Sequence, residues 1–298
     1  MPERARPAVS VAIATYCGGA TVDELVGRLL EVLRPRLAAV EVVLVDDASP
    51  DGSWHEVRRV AERTPEVRAL RLASNVGEQA ASWFAIAQAH ADRIVTLDDD
   101  LQHPPDEVPR VLEALEGAEL VYGVPEAMAQ PGMRPLAAQV AKALAEDLAG
   151  LPAGRSISSF RALRGDVVRR ATTGGSLPVD VRLARARPDT ATVIVRHEPR
   201  RAGRSGYTAA ALAGHAADLV VGHRLASAPP WALDATAAAV LAGALASARS
   251  GGRSPALAAA ALGLGGGLLA ASQRVRRLLT EPPVAVAERA GEDGLVAP

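Results

Sequence analysis

The chain is 298 residues long, 49% apolar and 22% charged, with a formal net charge of −1, so it is long enough to bury a full core and to hold one large domain plus an appendage, or two modest ones. The near-neutral balance and the 3% aromatic content exclude a basic nucleic-acid surface and an aromatic stacking platform for single strands. The single cysteine, Cys17, excludes an internal disulfide, and the start Met1 to Pro7 lacks the apolar core of a signal peptide, so a cytoplasmic location is expected.

In chain order, Val9 to Ala14 is a short apolar run with the β-branched content of a strand. Val22, Leu25, Val26, Leu29, Leu30 and Leu33 repeat at helical spacing, and Val40 to Val45 reads as a strand covered on both faces. Helix Ser53 to Arg63, strand Val67 to Leu72, helix Gly77 to Ala91 and strand Arg93 to Leu97 follow. Helix Pro105 to Glu116, with proline in its first turn, and strand Glu119 to Tyr122 complete the regular part. Such alternation predicts an α/β fold with a doubly wound, mostly parallel sheet flanked by helices. Beyond Gly123 the spacing predicts a loop at Pro125 to Pro135 and a helix at Leu136 to Leu148. A strand at Ser158 to Leu163, a helix at Asp166 to Arg170 and a strand at Thr192 to Val195 come next. The basic stretch His197 to Tyr207 and a helix at Ala209 to Leu225 close this half. From Pro229 two Ala-, Leu- and Gly-rich stretches, Trp231 to Ala246 and Pro255 to Ala271, flank a polar turn. Each spans roughly 25 Å as a helix against ~30 Å of hydrocarbon, which leaves both a membrane hairpin and a soluble helical pair open. The expected division is a catalytic domain at 1–228, a helical hairpin at 229–280 and a disordered tail at 281–298.

Ligands of an open parallel sheet bind beyond the carboxyl ends of its strands. Three polar clusters fall there: Thr15-Tyr16-Cys17-Gly18-Gly19, Asp46-Asp47-Ala48-Ser49 and Asp98-Asp99-Asp100-Leu101-Gln102. Three consecutive carboxylates repel one another and require a cation or a solvent-rich site. In an extended chain Asp98 and Asp100 share a side, offering hard oxygen ligands to Mg²⁺ or Mn²⁺ with a diphosphate completing the shell. The competing reading is a solvated, helix-capping loop. Asp46 suits either a cap or an acceptor for hydrogen bonds from a base or ribose hydroxyl.

Several strings occur in order. They are Val43-Leu44-Val45-Asp46-Asp47-Ala48-Ser49-Pro50-Asp51-Gly52-Ser53, Asn75-Val76-Gly77 and Thr96-Leu97-Asp98-Asp99-Asp100-Leu101-Gln102-His103-Pro104-Pro105. Ser159-Phe160-Arg161-Ala162-Leu163 and Arg200-Arg201-Ala202-Gly203-Arg204-Ser205-Gly206-Tyr207 follow. Together they resemble family 2 glycosyltransferases of the GT-A fold, over about Val9 to Pro230, and within them the polyprenyl-phosphate sugar transferases. The resemblance implies that Thr15, Tyr16 and Asp46 hold the nucleoside of a UDP- or GDP-linked donor, with Asp47 and Asp99 beside it. It further implies that Asp98 and Asp100 are the DxD pair, with Gln102 near the Mg²⁺ or Mn²⁺. Arg161, Arg200, Arg204 and Ser205 are expected to meet the phosphates of donor or lipid-phosphate acceptor, in an inverting transfer at the inner face of the cell membrane. An acceptor phosphate is already largely anionic near neutral pH and needs no strong general base.

The chain also departs from that pattern. Ala14-Thr15-Tyr16-Cys17-Gly18 stands where the family usually has Pro-Thr-Tyr-Asn-Glu, so an acidic nucleoside contact is missing. The family's aspartate five residues before the phenylalanine falls at Arg155, and Gly206 replaces a lysine that some members carry. Cys17 is expected to fill space, and His103 and His197 to act as structural hydrogen-bonders. Two alternatives follow: a soluble transferase for a small-molecule acceptor, with Asp99 or Asp166 as base, and a non-catalytic scaffold that binds nucleotide sugar. The absence of Gly-x-Gly-x-x-Gly after the first strand, and of a Walker loop, excludes dinucleotide and P-loop enzymes.

Overall fold

A computed structural model describes residues 9–126, 158–171, 177–199, 234–236, 238–242, 269–270, 272–273 and 284–291. The elements are β1 (Val9–Thr15), α1 (Gly19–Leu33), β2 (Val40–Asp46), α2 (Ser53–Arg63), β3 (Val67–Leu72), α3 (Glu78–Ala87) and β4 (Arg93–Thr96). A 3₁₀ turn at Pro105–Glu107 leads into α4 (Val108–Ala114), followed by β5 (Leu120–Pro125) and β6 (Arg161–Arg164). Then come α5 (Gly165–Arg170), α6 (Val179–Arg185), β7 (Thr190–Val195) and β8 (Val286–Ala290).

One eight-stranded sheet runs in the order β7-β5-β6-β4-β1-β2-β3-β8. The pairs β1·β2, β1·β4, β2·β3 and β5·β7 are parallel, whereas β4·β6, β5·β6 and β3·β8 are antiparallel. Strand alternation divides the core. Val9, Val11 and Ile13 of β1 pack with α1, α2 and α4 on one face. Ala12, Val43 and Val45 pack with α3, α5 and α6 on the other. Both faces are covered, which explains why every residue of β2 is buried and why its sequence is almost uninterruptedly apolar. The chain leaves β1 through β2 and β3 in one direction and then places β4 on the opposite side of β1. That reversal opens a crevice at the carboxyl ends of β1 and β4, where this class of sheet binds ligands.

Several expectations change. Helix α3 stops at Ala87, short of Ala91, because the amides of His90 and Ala91 are taken by Glu41 Oε2 (3.0 Å) and Ser10 Oγ (3.0 Å). The helix expected at Pro105 to Glu116 begins as a 3₁₀ turn, since Pro105 and Pro109 lack the N–H groups a continuous first turn would use. Helix α6 was not expected, and β5 and β7 are longer than their apolar runs. The expectation of disorder throughout 281–298 is corrected at Val286–Ala290, which forms β8 on the edge of β3. The open backbone edge of β3 supplies hydrogen-bond partners that a composition-based reading of the tail ignores.

Within the two apolar C-terminal stretches, residues 234–236, 238–242 and 269–270 are helical, as are 272–273 just beyond. The remainder of both stretches, the expected helices at Leu136 to Leu148 and Ala209 to Leu225, and nearly all of the Pro125 to Pro135 loop lie outside the described residues. Among the described residues no helix is long and apolar enough to cross a membrane.

Candidate active site

The three polar clusters follow β1, β2 and β4, neighbours in the sheet, and therefore lie side by side. Each contains a non-glycine residue in the left-handed region: Cys17 (φ 58°), Ala48 (φ 53°) and Leu101 (φ 61°). Such a conformation costs about 1–2 kcal/mol per residue and persists only where surrounding contacts enforce it. Those contacts are present. Asp47 N donates to Thr15 O (2.9 Å), Cys17 N to Ser49 Oγ (2.9 Å) and Gly19 N to Ser53 Oγ (3.0 Å). Thr15 Oγ1 donates to Asp99 Oδ2, joining the β1 loop to the acidic cluster across the crevice.

The three aspartates are not equivalent. Strand β4 ends at Thr96, and the chain turns at Asp99, so the extended run assumed from sequence does not persist through Asp100. Asp98 Oδ2 accepts from Ser159 Oγ (2.6 Å), and Asp100, 7% exposed, accepts from Gln102 N (3.0 Å). Asp99 turns to Thr15. A Cβ built on Gly18 would overlap the Asp99 carboxylate and crowd Thr15 Oγ1. The acidic side chain that the resemblance places at position 18 is therefore sterically replaced here by Asp99.

Asp46 is fully buried. Its Oδ2 accepts from Ser49 N (3.2 Å) and lies 3.5 Å from Arg71 Nε, while Oδ1 has no hydrogen-bond partner among the described residues. Tyr16, in the loop after β1, is 53% exposed. Asp47, expected to touch substrate, is buried, and its two oxygens accept from Val76 N (2.7 Å) and Gly77 N (2.9 Å), so it ties the β2 loop to the start of α3. Burial raises its pKa above the ordinary carboxylate range, partly opposed by those two amides. Cys17 is exposed and does not fill space; partial desolvation, followed by the nearby Asp51, raises its thiol pKa.

The side-chain nitrogen of Gln102 lies 3.3 Å from His197 Nε2, and its backbone carbonyl accepts from Glu198 N (2.8 Å), so the exit of β7 abuts the acidic cluster. His103 is buried between Phe160 and His197, at ring-centroid distances of 5.3 and 5.1 Å. Its Nδ1 has no partner among the described residues, and burial lowers its pKa against the opposing pull of Asp98.

Arg161 was expected to meet phosphates. The structure instead buries its guanidinium behind the cluster, bidentate to Asp180 at 3.0 Å through both Nε and Nη2. Tyr122 Oη donates to the same carboxylate at 2.9 Å. Arg161 Nη1 reaches Thr96 Oγ1 and Ser159 O, both at 3.4 Å, and so supports the residue that donates to Asp98. A buried cation requires a fixed counter-charge, and Asp180 of α6 supplies it. Sequence reasoning missed Asp180, which no motif marks, and Ser159, which immediately precedes the Phe-Arg pair. Arg200, Arg204 and Ser205 lie outside the described residues.

No group of three or more His, Cys, Asp or Glu side chains able to hold a metal occurs among the described residues. Asp98, Asp100 and the adjacent Gln102 nevertheless fit Mg²⁺ or Mn²⁺, because such ions often bind through one or two carboxylates, with substrate phosphates and water as the other ligands.

The Glycosyl transferase family 2 profile matches residues 10–137, which contain all three clusters. Among curated proteins, undecaprenyl-phosphate 4-deoxy-4-formamido-L-arabinose transferase of Pseudomonas paraeruginosa is 40% identical over 118 residues, 39% of this chain and 35% of that protein. Dolichol-phosphate mannosyltransferase of Pyrococcus furiosus is 34% identical over 116 residues, 39% of this chain and 32% of that protein. The matched part thus spans about a third of these relatives' length. Among solved structures, glucosyl-3-phosphoglycerate synthase from Mycobacterium tuberculosis aligns with a TM-score of 0.55 at 18% identity, over 74% of this chain and 80% of that one. Another structure of that protein, in complex with Mn²⁺, UDP and glucosyl-3-phosphoglycerate, aligns at 0.53 and 17%, over 74% and 80%. At these identities the likeness is one of fold.

Proposed function

We propose that this chain, which carries a glycosyl transferase family 2 domain at residues 10–137, moves a sugar from a nucleotide diphosphate onto a polyprenyl phosphate, with inversion at the anomeric carbon. The carrying observation is the convergence of three strained loops at the switch point, tied by Thr15 and Asp99 beside Asp46, Asp98 and Asp100. The curated relatives named for undecaprenyl-phosphate and dolichol-phosphate transfer support the acceptor class.

In this reading the exposed Tyr16 ring stacks on the base, and Asp46 Oδ1 accepts a hydrogen from base or ribose. Asp98 and Asp100, with Gln102 beside them, hold the donor's divalent ion; the fold relatives crystallised with Mn²⁺ or Mg²⁺ and UDP support that assignment. When bound, the ion would offset charge developing on the leaving diphosphate. Ser159, braced by Arg161 and Asp180, keeps Asp98 oriented before the donor arrives. Asp99 orders the Thr15 loop and has no role as a base, because the acceptor phosphate is itself the nucleophile. Arg200, Arg204 and Ser205 are assigned to phosphates through the resemblance alone. The domain at 1–228 is catalytic and works at the cytoplasmic face of the membrane.

Calorimetric titration with UDP and with GDP, each with and without Mn²⁺, tests the donor site. Metal-dependent binding of one nucleotide is expected, and failure of both would leave the non-catalytic scaffold as the better description. Transfer to undecaprenyl phosphate in detergent, run beside small organic phosphates, tests the acceptor. Transfer confined to the small phosphates would overturn the lipid assignment and leave the donor site standing.

A further inference from the structure

We infer that the C-terminal strand β8 is a working part of the donor pocket: Glu288 holds Arg71 against the Asp46 to Ser49 turn, so that the docked strand sets nucleotide affinity. The inference rests on the donor-site reading given above for Asp46 and Tyr16.

Strand β8 pairs with β3 through Ala69↔Ala290, Leu70↔Arg289, Arg71↔Glu288 and Leu72↔Val286. The register shifts between Arg71 and Leu72, placing an irregularity directly beside the Arg71–Glu288 pair. Bulges of this kind re-aim side chains and concentrate near functional sites. Here both carboxylate oxygens of Glu288 are engaged. Oε2 accepts from the indole nitrogen of Trp54 (2.8 Å) and Oε1 from Arg71 Nη1 (3.0 Å). Trp54 is buried, and a buried indole N–H needs an acceptor. Trp54 therefore anchors Glu288, and Glu288 anchors Arg71.

The other two guanidinium nitrogens of Arg71 face the nucleotide loop. Nε lies 3.5 Å from Asp46 Oδ2 and Nη2 donates to Ser49 O at 3.4 Å. Ser49 in turn accepts from Cys17 N, the residue after Tyr16. One planar fork thus joins the tail to the carboxylate and the loop that would read the nucleoside. Its geometry is rigid enough to transmit position, which a lysine ammonium is not. Gly291 follows the strand at φ 81°, where a Cβ would run into Val67 O, so the close approach to β3 at this end requires glycine. Arg71 is a positioning residue in this arrangement, acting through Asp46 and Ser49.

The test uses the full chain, with UDP and GDP plus Mn²⁺ as probes of the pocket and inorganic pyrophosphate plus Mn²⁺ as the control for the acidic cluster. Glu288→Ala is expected to weaken binding of the preferred nucleotide about tenfold, the scale of one charge-assisted hydrogen bond, and to leave pyrophosphate binding unchanged. Arg71→Lys, which keeps the charge but not the fork, is expected to show the same nucleotide-selective loss if Glu288→Ala does not fold. Glu288→Gln, which still accepts from Trp54, is expected to recover part of the affinity. Wild-type binding with both variants within about twofold of it overturns this inference and leaves the donor-site reading intact. Equal losses for nucleotide and pyrophosphate overturn it as well, since β8 would then be merely structural. No nucleotide binding by the wild type overturns both.

Discussion

Asp98, Asp99 and Asp100 are adjacent in the chain and accept from different groups: a serine hydroxyl, a threonine hydroxyl and a backbone amide. Asp100→Asn keeps the oxygen that accepts from Gln102 N and removes only the charge. It is expected to abolish metal-dependent nucleotide binding and turnover with little change in melting temperature, and wild-type binding in calorimetry would remove Asp100 from the metal site. Arg161 belongs to a different class. Substituting methionine strands Asp180 in the interior, which costs on the order of 3–5 kcal/mol. The double variant Arg161→Met/Asp180→Leu is expected to regain most of that in denaturant unfolding, whereas transfer activity stays low because Ser159 has lost its brace. Cys17, although exposed, has a raised thiol pKa. Its thiolate fraction at neutral pH is therefore small, and alkylation by iodoacetamide is expected to be slower than for a free thiol and to accelerate as pH rises beyond the ordinary thiol range.

At the scale of elements, the short helix α6 and the edge strand β8 carry groups that no local pattern announces. Seven residues form no stable helix alone, so α6 exists because Val179, Val181 and Leu183 are buried against the sheet. That burial delivers Asp180 to Arg161. Docking of β8 has a pH signature. The Glu288 pKa is lowered, first by the Trp54 hydrogen bond and then by Arg71. A lowered carboxylate contributes stability above its unfolded value and loses it as pH falls through the folded one. Lower hydrogen-exchange protection at 286–290, relative to the intrinsic rate at each pH, and a change in Trp54 fluorescence are expected on acidification below the ordinary glutamate range. A protection factor at 286–290 that stays constant through that range would show that Glu288 does not hold the strand.

For the whole molecule, the reversal of strand order between β1 and β4 brings together residues more than eighty positions apart, as in the Thr15 to Asp99 hydrogen bond. A ligand gripped by loops from three strands stabilises the entire sheet. Saturation at a hundred times the dissociation constant adds about 2.7 kcal/mol. The melting temperature is therefore expected to rise with the preferred nucleotide only when Mn²⁺ or Mg²⁺ is present, and to return on chelation. A rise of equal size without metal would detach the acidic cluster from donor binding.

Period and composition alone determined the alternation from β1 to β5, because a strand covered on both faces must be apolar almost throughout and an amphipathic helix must show its stripe. The three clusters were legible for a related reason: polar residues directly after such strands have no other place in this architecture. Tertiary structure decided how those residues divide the work. Asp47 and Arg161 look like ligand contacts in one dimension, yet each is buried against a partner distant in sequence, Gly77 for one and Asp180 for the other. Gly18 looks like a lost contact until Asp99 is seen to occupy its space. The tail strand was unreadable because its partner is the backbone edge of β3, and backbone hydrogen bonds leave almost no trace in side-chain identity.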